Sequence, residues 1–200
     1  VSEIMYHPLD ASVAEELAGI TQASDFEFIE VYNPTSSRIS LSGVVISQAF
    51  DFAFTGSVIT ELDPSGYALI VRDQVAFEMR YGVGFPIAGE YGDNGVPDGG
   101  NKLSNAGEEI MITAVDGSII QNFIYDDNAP WPVSADGSGH SLVLIRPEEI
   151  PDHGLAVSWR SSALSGGNPA STDFIQFTGA VGLDVDGNDV DDLLDHAIGH

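Results

Sequence analysis

Short runs of β-branched and aromatic residues, each stopped by a turn-forming cluster, decide what this chain can fold into. They span residues 26–32, 42–47, 66–71, 109–115, 118–125 and 141–146. At about 5 to 8 residues each, they have the length and composition of strands rather than helices. Asp116-Gly117 lies between two of them, a strong short-range signal for a β-hairpin. Helical periodicity is scarce. Residues 11–20 predict one short helix, with Val13, Leu17 and Ile20 on one side and Glu15 and Glu16 outward. Residues 75–81 predict one or two further turns. Many short strands with few helices predict an all-β, antiparallel β-sandwich or barrel over residues 1–146.

Beyond residue 146 the texture changes. Residues 147–181 read as an extended linker, opened by Pro147 and Pro151 and later rich in Ser, Gly and Asn. Residues 182–200 read as an acidic loop running into a short helix, because Leu193, Leu194, Ala197 and Ile198 share one helical face.

Charge narrows the function. The chain carries 31 Asp and Glu against 6 Lys and Arg, a formal charge of −25, and Lys102 is its sole lysine. Nucleic acids and anionic membranes are bound through clustered cations that displace counterions, so neither is an expected partner. No phosphate-cradling glycine-lysine loop occurs. Cysteine is absent, which excludes disulfides, zinc-thiolate sites and a cysteine nucleophile. No apolar run approaches the ~20 residues of a spanning helix, so membrane insertion is not expected. Val1 to Tyr6 lack the basic start and apolar stretch of a secretion signal, which carries little weight because a signal can be removed upstream.

A series of motifs carries a resemblance. Val1-Ser2-Glu3-Ile4-Met5-Tyr6-His7-Pro8 is followed by Phe28-Ile29-Glu30-Val31-Tyr32-Asn33-Pro34 and Ile39-Ser40-Leu41-Ser42-Gly43. Then come Leu103-Ser104-Asn105-Ala106-Gly107-Glu108-Glu109 and Asp136-Gly137-Ser138-Gly139-His140-Ser141-Leu142. In this order the blocks resemble the lamin tail domain. The resemblance implies an immunoglobulin-like antiparallel sandwich, non-catalytic, within a larger exported or cell-surface bacterial protein. Trp159-Arg160-Ser161 with Ser165-Gly166-Gly167-Asn168-Pro169 is similar to the segment that follows such domains. The stretches 11–23 and 82–100 look longer than the family's usual turns.

The sharpest chemical pattern lies near the end of the chain. Asp184, Asp186 and Asn188 fill positions 1, 3 and 5 of a twelve-residue calcium loop. Val190 offers its carbonyl at position 7, Asp192 falls at 9 and Asp195 at 12. Calcium takes six to eight hard oxygens, and alternate residues of a tight loop can supply them. Asp189 replaces the usual Gly at position 6, and Asp195 the longer Glu at 12, so the expected site is weak. The segment resembles the acidic loop of dockerin and thrombospondin-type repeats. The competing reading is a solvated acidic N-terminus for the last helix.

Other clusters are weaker. Asp93-Asn94 with Asp98 and Asn101, and Asp126-Asp127-Asn128, hold oxygen donors but also have the composition of ordinary turns. Trp131, between two prolines, reads as a capping aromatic. Gly139-His140-Ser141-Leu142-Val143 misses the lipase elbow at its fifth residue, so Ser141 is not expected to be a nucleophile. Glu27 and Glu30, three apart on a strand, point to opposite faces and cannot flank one bond. His7, His140, His153, His196 and His200 have no metal-binding spacing. The expectation is therefore a non-enzyme that binds calcium, with no protein partner or oligomeric state assigned. The alternatives are a calcium-dependent polymer hydrolase using carboxylates of 82–101, and a carbohydrate-binding sandwich.

Overall fold

A computed structural model describes residues 1–92 and 101–173. The strands are β1 (Glu3–Met5), β2 (Phe28–Tyr32), β3 (Ile39–Ser40), β4 (Val45–Gln48), β5 (Phe52–Ala53) and β6 (Glu61–Leu62). They continue with β7 (Tyr67–Val71), β8 (Ile87–Glu90), β9 (Glu108–Thr113), β10 (Ile119–Tyr125), β11 (Leu142–Leu144) and β12 (Trp159–Ser161). Two helices, α1 (Val13–Leu17) and α2 (Gln74–Tyr81), accompany them among the described residues. One sheet has the order β12-β11-β1-β2-β7-β8, a second β10-β9-β4-β5, and β3 pairs with β6.

The two larger sheets enclose a common core. Ile4, Tyr6, Ile29, Val31 and Ile70 meet Ile46, Ile110, Ile112, Phe123 and Tyr125 across it. The larger sheet is also covered on its other face, where Met5, Phe28, Leu69 and Val71 pack on Phe77 of α2. A strand buried on both faces loses period-two alternation, which is why β2 and β7 are nearly continuous apolar runs. In β9 one face is open, and the pattern alternates: Ile110 and Ile112 are buried while Glu109, Met111 and Thr113 are partly exposed.

The predicted hairpin is present. β9 and β10 pair antiparallel, and Gly117, at φ +81°, donates to the Ala114 carbonyl in the turn. The 75–81 helix is α2, with Asp73 capping it through a bond from Ala76 N. Three departures stand out. β7 and β8 are parallel, joined through α2, a βα unit inside an otherwise antiparallel arrangement. Around α1 the expected faces hold only in part: Ile20 is buried and Glu16 exposed, but Glu15 is buried while Val13 and Leu17 are 72% and 85% exposed. Glu15 turns inward because its carboxylate forks with Arg80 of α2 (both bonds 2.9 Å) and closes a capping box with Ser12.

The third departure concerns the stretch read as linker. Its residues 159–161 form β12, which pairs with β11, and Trp159 is 3% exposed in the core. Its indole N–H donates to the His153 carbonyl at 2.9 Å. Trp159 brings apolar area that polar neighbours hid from a compositional reading. No helix among the described residues is long and apolar enough to cross a membrane.

Candidate functional site

The buried glutamates Glu3, Glu27 and Glu30 accept hydrogen bonds from loop backbone and hydroxyls. Glu3 and Glu30 stand directly opposite each other on β1 and β2, on the same outer face of the larger sheet as Met5 and Phe28, which pack against α2. Both are 2% exposed. Glu3 Oε1 accepts from the Ser141 hydroxyl (2.5 Å) and from Asn168 N (3.1 Å). Glu30 accepts from the Ser2 hydroxyl (2.7 Å) and from Ala170 N (2.6 Å). The 165–171 stretch thus lies as a strap over the pair. Gly167 is pressed so close that a Cβ there would overlap Glu3 Oε1. Burial pushes both carboxyls up, and mutual repulsion adds to this for Glu3.

Beside the pair is a cavity of about 280 Å³, where Arg160 ion-pairs with Asp173 at 2.5 Å. Like charges opposed in a strand pair are destabilising, so protonation of one acid is favoured near neutral pH. The sequence held no signal for this pair: 27 residues separate its members, and only strand register brings them together.

Glu27 serves a different loop. It precedes β2 and is 1% exposed. Its Oε2 accepts from Leu103 N at 2.7 Å and from the Tyr91 hydroxyl at 3.1 Å. Burial raises its carboxyl to about 8, partly offset by those bonds and by Arg72 and Lys102. Glu27 borders a polar cleft of about 310 Å³ shared with Asp10, Ser24, Lys102 and Asn105. As expected, Glu27 and Glu30 serve separate surroundings.

The motif residues behind the resemblance also do structural work. Asn33 is fully buried; its Nδ2 donates to the Ser37, Leu62 and Asp63 carbonyls while Oδ1 accepts from Thr35. Glu108 accepts from Ser104 N (2.6 Å) and the Tyr125 hydroxyl (3.0 Å). Ser141 spends its hydroxyl on Glu3.

The calcium-loop residues Asp184, Asp186, Asn188, Val190, Asp192 and Asp195, and the terminal helix, lie outside the described residues, as do Asp93, Asn94 and Asp98. Asn101 is described; its Nδ2 donates to the Tyr91 carbonyl, and its own carbonyl accepts from Arg72. Asp126 and Asp127 accept from Asn128 in a local turn. Among the described residues no three His, Asp or Glu side chains stand close enough to hold one metal ion. Trp131 is half-buried against the core, its ring 6.3 Å from that of Trp159. No family model matches the chain, and neither does any curated protein or solved structure.

Proposed function

We propose that this chain is a non-catalytic binding and structural module of a larger exported or cell-surface protein. In this reading it is an immunoglobulin-like sandwich of the lamin tail kind, and the segment 184–195 binds calcium. One observation carries the scaffold reading. Glu3, Glu15, Glu27 and Glu30, the buried glutamates, each accept from a loop amide, a hydroxyl or an arginine. Acids used in this way hold long loops in place; a hydrolase needs them turned toward a substrate. The motif series and the Asp184-to-Asp195 spacing support the family and the ion.

The test is thermal melting in chelator and in millimolar calcium, on wild type and Asp184→Ala. The expected result is a calcium-dependent rise in Tm that Asp184→Ala loses. An equal response in both proteins, or none in wild type, refutes the ion site. The non-catalytic reading fails if the purified chain hydrolyses a polysaccharide in a calcium-dependent way.

A further inference from the structure

One end of the sandwich holds a feature independent of calcium. Between the sheets, at the end closed by β3, β6 and the 147–150 turn, lies a cavity of about 390 Å³. Its wall is aliphatic and aromatic, and includes Leu41, Val44, Phe54, Leu62, Ile112 and Leu144. Protein interiors pack at crystal density and keep few voids larger than a water molecule. A cavity of ~150 Å³ already takes benzene, and ligand pockets begin at ~300 Å³. This one is of ligand size.

Two further observations mark it as accessible and maintained. The core around it is incompletely sealed: Leu41, Val44 and Ile112 keep 6–7% exposure, while Ile29, Ile46 and Ile110 in the same core keep none. At its rim, Ile150 is held at φ +51°, ψ +57°. A β-branched residue is rarely found in that left-handed region, and such strain clusters at binding sites. Ile150 is also 64% exposed, an aliphatic side chain turned toward the opening.

The lining also selects the ligand's chemistry. No lysine, arginine, aspartate or glutamate borders the cavity. The histidine at its rim is uncharged, because burial lowers the His153 imidazole to about 4. Gln121 Oε1 accepts from the Val1 nitrogen at 3.0 Å, and both ring nitrogens of His153 lie 2.8 Å from carbonyl oxygens. A charged headgroup would find no counter-charged side chain there. An anion would in addition face the field of a chain with net charge −25. We infer that this cavity is a binding site for a neutral aliphatic ligand, such as a medium-chain alcohol or hydrocarbon tail.

The test uses N-phenyl-1-naphthylamine, a neutral dye that fluoresces in apolar surroundings, displaced by 1-decanol or by decanoate. The expected result is saturable binding at one site per chain, with decanoate weaker than decanol by about ten-fold or more. Val44→Phe should fill the cavity, abolish dye binding and leave Tm unchanged or higher. Ile150→Lys, at the exposed rim, should keep the fold and narrow the decanol-to-decanoate ratio. The inference is overturned if wild type gives no saturable signal. It is equally overturned if Val44→Phe keeps full binding, or lowers Tm as overpacking of a filled core does. Equal affinity for decanol and decanoate in wild type refutes the neutral-ligand assignment.

Discussion

Replacing Glu27 by Gln should flatten the dependence of stability on pH. Glu27 is 1% exposed, and burial raises its carboxyl from the ordinary 4.5 to about 8. The folded chain therefore holds one proton more than the unfolded chain between those values. Its stabilising contribution is complete below pH 4.5, declines as pH rises, and is gone above about 8. The slope is about 1.4 kcal/mol per pH unit, so about 4 kcal/mol is lost between pH 5 and 8. Glutamine keeps an oxygen for the Leu103 amide and the Tyr91 hydroxyl and cannot ionise. Urea unfolding of both proteins at pH 5, 6.5 and 8 reads the difference directly. Wild type should lose about 4 kcal/mol more than the variant across that range. Glu3 and Glu30 shift in the same direction but are present in both proteins, so the difference isolates Glu27. Parallel stability curves for the two proteins would refute the reasoning, because they would mean that Glu27 titrates alike folded and unfolded.

The other structural predictions are local. Arg80→Met should cost about 3 kcal/mol, since it strands the buried Glu15 and frees the Leu9 and Asp10 carbonyls. Adding Glu15→Gln should recover part of that loss in a double-mutant cycle of denaturant unfolding. Arg80 also holds the Glu15 carboxyl down to about 2, so this pair's stabilisation, full above pH 4.5, is lost as pH falls toward 2; acid unfolding checks it. Gly167→Ala should destabilise by about 2 kcal/mol or more: φ is +74°, and the new Cβ would overlap Glu3 Oε1. Protease nicking within 160–173 should rise in parallel, as the strap lifts from the sheet.

What could be read from the sequence followed the range of the interaction. The 116–117 turn is specified by its own two residues, and the hairpin was legible for that reason. The β2 and β7 runs were legible because strands buried on both faces show their apolarity without phase. The orientation of α1 was not, because Glu15's partner is 65 residues away and overrides local amphipathicity. The same holds for β12: Trp159 is a lone aromatic among Ser, Gly and Arg, and its place depends on pairing with β11. At the candidate sites, the separate surroundings of Glu27 and Glu30 were legible because strand alternation is local. The Glu3–Glu30 pair escaped notice because register, which no single segment encodes, puts the two acids face to face.

All five arginines are committed to acids of the same chain: Arg38 to Glu61 and Asp63, Arg72 to Asp25, Arg80 to Glu15, Arg146 to Glu149 and Arg160 to Asp173. With its arginines spent internally, the chain keeps a large surplus of acids, and its net charge of −25 opposes compaction. Added salt then acts in two directions. It weakens the exposed pairs of Arg38 and Arg146, whose side chains are 61% and 65% exposed; each such pair is worth at most about 1 kcal/mol. It also screens the repulsion among the surplus acids, an effect that sums over far more charges than these three pairs. The pairs of Arg80 and Arg160 are shielded by burial and respond little. Screening should win. In chelator, to remove any contribution of calcium, Tm should rise as NaCl increases from about 0.05 to 1 M, most steeply at the low end, where the Debye length shrinks from above 10 Å toward 3 Å. A Tm that falls across that range would show that the exposed pairs outweigh the net charge, and that the surplus acids are neutralised within the fold.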